Sequence, residues 1–247
     1  MKTFLQNRLA FAGKEENYVL ILAPIKAIHE TDFGGRIELL HLPEFTFWLS
    51  QHVLNSIQRR FERELGALNA TPDKKSVQDD RVVGLFKIAA LKNKVDQLRI
   101  LDAGLLRVTP DWIPVHSSYE SILARALVGQ QRYFQKPLRY DADTETVFPD
   151  FLLTDCGAVP VPLEVFGFTN NPTYESRKQA KLNYYRSLDA PFWCWDVTLH
   201  GKTENDLPPL PKPQFSEPRS AIATETRLGR VLEISASPAE SSSATSN

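Results

Sequence analysis

The sequence predicts an α/β protein: a mixed β-sheet core with flanking helices in the order helix-strand-strand-strand-helix-strand, preceded by an α+β N-terminal region. Three observations predict it. Residues 112–200 alternate helical and extended patterns, residues 1–111 place β-branched runs around one amphipathic stretch, and the composition turns to Pro and Ser from residue 201. The chain has 247 residues, 42% of them hydrophobic, which is ample for a core that needs no metal or disulfide to fold.

In the N-terminal region, 1–111, residues 18–28 are aliphatic and β-branched and read as strand. Residues 36–42 read as a second strand after the Gly34-Gly35 turn signal. Phe47, Val53, Leu54, Ile57, Phe61, Leu65 and Leu68 recur near helical spacing with charged residues between them, which predicts one long amphipathic helix over 44–68. Residues 69–80, polar and containing Pro72, read as a loop. A hairpin is expected over 81–109, turning near Asn93.

The core, 112–200, opens with Ser117-Ser118 as a helix cap and Glu120 close behind. A helix is expected over 118–134, then a short strand at 138–141 and longer strands at 147–154 and 159–168. Pro172 opens a second helix to about residue 188, and 192–198 is a last strand. Pro160 and Pro162 lack backbone donors, so pairing of the third strand is expected to begin only near Leu163. Residues 201–247 read as a Pro/Ser-rich disordered tail.

Lys plus Arg number 29 and Asp plus Glu 30, a net charge of −1. Such balance gives no global attraction to nucleic acid or membrane. The two cysteines, Cys156 and Cys194, form no CxxC pair, and no HxxxH or HExxH spacing points to zinc. No GK[ST] phosphate loop follows Gly34-Gly35. The first residues lack a signal-peptide core, and the apolar run at 18–28 is broken by Pro24 and Lys26. A cytoplasmic protein without a membrane partner is expected.

The residues that point to chemistry lie on two adjacent strands. If the connection at 155–159 is a hairpin centred on Gly157, Asp150 falls directly opposite Glu164. A slip of one residue would put the two on opposite faces. Paired carboxylates suit a hard divalent cation such as Mg²⁺ or Mn²⁺, which relieves their repulsion and polarises a bound phosphate. Asp150 also suits a simple turn after Pro149. Glu164, in an apolar strand, equally suits an ion pair with Arg177, Lys178 or Lys181.

Phe148-Pro149-Asp150-Phe151 followed by Leu163-Glu164-Val165-Phe166-Gly167, in this element order, resembles the PD-(D/E)XK (restriction-endonuclease-like) nuclease superfamily. The resemblance implies Asp150 and Glu164 as ligands of Mg²⁺ or Mn²⁺, with Glu120 assisting from the first helix. The family's Lys position holds Phe166 here. Lys178, slightly preferred, or Lys181 on the following helix would replace it. Residues 119–196 also resemble a bacterial domain-of-unknown-function family carried on integrative mobile elements. The stretches 136–140, 174–178 and 193–196 carry much of that likeness. The function implied is a Mg²⁺-dependent DNA nuclease serving such an element. The alternative is a catalytically inactive nuclease-like module that binds DNA or a protein partner, the partner engaged through residues 1–111.

Overall fold

Alternation of buried and exposed residues builds the first half of the chain into a closed five-stranded barrel. In the computed structural model, residues 18–68, 80–91, 94–141, 143, 145–167 and 171–214 are described. The barrel strands are β1 (Val19–Thr31), β2 (Gly34–Leu39), β3 (Thr46–Ser50), β4 (Arg81–Leu91) and β5 (Lys94–Val108). They close in the order β1-β2-β3-β5-β4, antiparallel throughout except for the parallel pair β3/β5. Every second residue points inward, so Ile37, Phe47, Phe86, Ile88, Leu98 and Ile100 fill the interior at 0–1% exposure.

The single helix expected over 44–68 is instead strand β3 followed by α1 (Gln51–Arg60) and α2 (Glu62–Leu68). Phe47 and Leu49 serve the barrel interior as strand residues. Ser50 then starts α1, its Oγ accepting from Val53 N. Leu54 and Ile57 of α1 join the same core. The first two strands and the β4–β5 pair lie close to where they are expected, while residues 69–79 of the loop expected over 69–80 and the turn residue Asn93 lie outside the described residues.

The second half contains α3 (Ser118–Gly129), β6 (Phe134–Gln135), β7 (Phe151–Leu153), β8 (Val161–Phe166), α4 (Pro172–Ser187), β9 (Trp193–Asp196) and α5 (Val197–His200). The four strands form a mixed sheet in the order β6-β7-β8-β9, with only β8/β9 parallel. Among the described residues the protein is therefore a mixed α/β molecule with two mixed sheets and five helices.

Three expectations are corrected here. Helix α3 stops at Gly129 rather than 134, and Gln131 with a φ of 52° turns the chain out of the helix. The edge strand forms at Phe134–Gln135, where Phe134 packs against Phe151, and not at 138–141, where Leu138 is 64% exposed. Pairing of β8 starts at Val161, with Pro162 opposite Leu152.

The described part of the expected tail is docked. Leu207 and Leu210 pack on the second core. Trp193 Nε1 donates to Pro209 O at 3.1 Å, Arg132 Nη2 donates to Pro211 O at 2.7 Å, and Gln214 N donates to Asp155 O at 2.7 Å. The proline-rich run has acceptors to offer and no donors to satisfy at its prolines, so it suits a surface that presents free donors.

Asp80 ties the two halves together. Its fully buried carboxylate accepts from Arg107 Nε of β5 at 2.6 Å, and from Ser121 Oγ and Arg125 Nη2 of α3 at 2.7 and 2.6 Å.

Candidate functional site

The register of β7 and β8 sets the site. Phe151 pairs with Leu163 and Leu153 with Val161. This is the register of a hairpin centred on Gly157, and the next residue on each strand is Asp150 and Glu164. Phe151, Leu153 and Leu163 are fully buried, which pins the register because a slip would expose them. Asp150 sits just before β7, where its Oδ2 accepts from Val165 N at 2.8 Å.

Glu164 is 1% exposed. Its Oε2 accepts from Lys181 Nζ at 2.7 Å and its Oε1 from Tyr185 OH at 2.7 Å. Lys181 also donates to Phe148 O at 2.7 Å. Burial, then the charge of Asp150, push the Glu164 carboxyl up to about 7 against the pull of Lys181 and Tyr185. Burial and the charge of Glu120 likewise raise Asp150. The hydrogen bond to Glu164 is held in place on the other side, since burial and that carboxylate raise the Tyr185 phenol.

Glu120 lies in the first turn of α3. Its carboxylate accepts from Lys136 Nζ at 2.7 Å and from His116 N at 3.2 Å, while its own backbone N donates to Ser117 Oγ at 3.1 Å. Burial pushes Glu120 upward, but His116 and Lys136 outweigh it and hold the carboxyl at about 2.

The two candidate lysines part company. Lys181 reaches Glu164, whereas Lys178 Nζ pairs with Asp196 Oδ2 at 2.5 Å and stands 5.5 Å over the ring of Phe166. Lys136, Tyr185 and Asp196 also belong to this network, although the sequence reading gives none of them a role in the site. Tyr185 shares the helical stripe of Lys178 and Lys181, the one signal that could have drawn it in. Lys136 and Asp196 carry no spacing that links them to the site.

Asp150, Glu164, Glu120, Lys178 and Lys181 all line one cleft of about 1060 Å³. Arg63 and Gly66 of α2 form one wall, and Thr173, Tyr174 and Arg177 of α4 another. The N-terminal turns of α3 and α4 also open into it, and the positive ends of their helix dipoles favour anions. The cleft thus combines an acidic floor with cationic sides, an arrangement suited to a cation and an anion together. Asp150 and Glu164 are the carboxylates that a hard cation could share. Among the described residues no group of three or more His, Cys, Asp and Glu side chains is placed to hold a metal. A Mg²⁺ here would therefore have two protein ligands and draw the rest from water or phosphate, its common habit.

Among the described residues no helix is long and apolar enough to cross a membrane. No curated protein and no solved structure matches the chain. One family model does, over residues 1–198, described as a protein of unknown function (DUF1173). That range takes in the barrel, the four-stranded sheet and every carboxylate and lysine of the cleft discussed above, and the chain belongs to the DUF1173 family.

Proposed function

We propose that the chain is a Mg²⁺- or Mn²⁺-dependent nuclease with a PD-(D/E)XK-like site that hydrolyses phosphodiester bonds in DNA. The observation that carries this reading is the register-locked pair Asp150 and Glu164, a partly buried carboxylate beside a fully buried one whose pKa is raised, at the floor of a cleft with cationic sides. Two adjacent carboxylates that resist joint ionisation are a fitting donor set for a divalent cation. Such a cation would supply neutralising charge and polarise a phosphoryl oxygen. Asp150 and Glu164 would hold it.

Lys181, already beside Glu164, places a positive charge where negative charge develops on the phosphate. It is our choice over Lys178, which is engaged with Asp196. Arg177 and the helix N-termini of the cleft would bind flanking phosphates. Glu120, held by Lys136 and His116, fixes the start of α3 and adds to the field at Asp150.

A second reading has its own support. Both oxygens of Glu164 are engaged by Lys181 and Tyr185, and Phe166 occupies the usual Lys position. These favour an inactive nuclease-like module that binds DNA or a protein. The test is cleavage of single-stranded, double-stranded and branched DNA with Mg²⁺ or Mn²⁺. Asp150→Asn and Glu164→Gln are expected to abolish cleavage while remaining folded, and Lys181→Met to cut the rate about 100-fold. Lys178→Met is expected to cost less. A folded wild type that cleaves none of these substrates, yet binds DNA in EDTA, would select the second reading.

A further inference from the structure

Barrel order β1-β2-β3-β5-β4, with parallel β3/β5 and the helices α1 and α2 between β3 and β4, is the connectivity of the oligonucleotide/oligosaccharide-binding barrel. Such barrels bind ligands on the outer β2–β3 face, beside the β1–β2 loop. Topology alone does not carry a function, but the residues on that face do point to a ligand.

Trp48 lies at the middle of β3 between Phe47 and Leu49, which point into the barrel at 0% and 4% exposure. Trp48 therefore faces outward, and the core makes no use of its ring. Its cross-strand neighbours are Arg36 on β2 and Arg99 on β5, and side chains so paired lie side by side. Arg99 is exposed and makes no ion pair among the described residues. Lys26 and Arg36 share one carboxylate, Glu38, which also contacts His29. The face therefore carries three permanent cations against one acid. At its edge, Phe33 in the β1–β2 turn is 90% exposed beside Asp32.

We infer that this face is a binding site for single-stranded DNA, separate from the carboxylate cleft. A partly buried Trp on the outer face, flanked by two arginines, offers the edge and free face of its ring to an unpaired base and cations to the phosphates on either side. Phe33 supplies a second ring. Duplex DNA, with its bases stacked inward, cannot use either ring. This inference stands without the nuclease reading.

The test is fluorescence anisotropy of the full-length chain with a fluorescein-labelled oligo(dT) of about 20 nucleotides, in EDTA so that no cleavage intervenes. Wild type is expected to bind, and to keep the strand against excess duplex. Trp48→Ala should weaken binding about tenfold or more, and Trp48→Phe should restore most of it. Arg99→Glu should weaken binding and make the dependence of log K on log salt shallower by about 0.7. Arg99 is exposed, so this variant tests the site even if Trp48→Ala fails to fold. Absence of wild-type binding at low salt, or equal competition by duplex, would overturn the inference. So would loss of binding in Arg177→Glu with none in Arg99→Glu, because that pattern places the strand in the cleft.

Discussion

Folding makes the Glu164 carboxyl harder to ionise: burial and then Asp150 raise it from 4.5 to about 7. The folded chain therefore keeps this proton across a pH window in which the unfolded chain has released it. The stability that results is fully present below pH 4.5 and is lost as pH rises through about 7. The difference is about 3 kcal/mol. Glu120 acts with the opposite sign, since its carboxyl is held at about 2 and its contribution disappears only in acid. The melting temperature is thus expected to fall from pH 5 to pH 8, and Glu164→Gln to flatten that fall while keeping acceptor and donor for Lys181 and Tyr185. Calorimetry across this range is the check; a flat or rising wild-type profile would rule out the buried proton. Added Mg²⁺ displaces the same proton under the proposed function, so its stabilising effect should be larger at pH 8 than at pH 5.5.

Among the elements, the segment after α5 has the clearest role. It satisfies Trp193 Nε1 and Arg132 with two carbonyls. Arg132 in turn holds Asp155 through paired bonds of 2.7 Å, Nε to Oδ2 and Nη2 to Oδ1. Asp155 follows β7, so the docked segment braces the hairpin that sets Asp150 opposite Glu164. A chain ending at residue 206 is expected to be less stable than one ending at 214 by roughly 3 kcal/mol, from two leucines uncovered and buried donors left unpaired. Urea unfolding of the two truncations measures this. Equal midpoints would mean that the segment rests on the sheet without bracing it.

For the whole molecule, Asp80 is the joint. One buried carboxylate neutralises Arg107 of the barrel and Arg125 of α3 and also binds Ser121. Asp80→Ala leaves two guanidinium groups without their shared anion in a poorly solvated place. A loss of about 3–5 kcal/mol is expected. Thermal unfolding followed separately by barrel and sheet probes should then split into two transitions. A single transition with unchanged midpoint would show that the halves are held by other contacts.

The pairing frame of β7 and β8, centred on Gly157, and hence the meeting of Asp150 with Glu164, are legible in the residues themselves. This frame is local, since a connection over 154–160 centred on Gly157 leaves one register that buries Phe151, Leu153 and Leu163. The helices α3 and α4 were equally legible from Ser117 and Pro172. Long-range contacts settled the choices between equally good local options. Phe47 fits the helical period of Leu54 and Ile57 as well as a strand, and barrel closure by the long-range β3/β5 pair selected the strand. Lys178 and Lys181 share a helical stripe, and the depth of Asp196 and Glu164 beneath them sent one to each. Residues 207–213 have the composition of a free tail, yet Trp193 and Arg132 present donors that their carbonyls meet. Composition records what a segment can offer, and the fold supplies the groups that accept it.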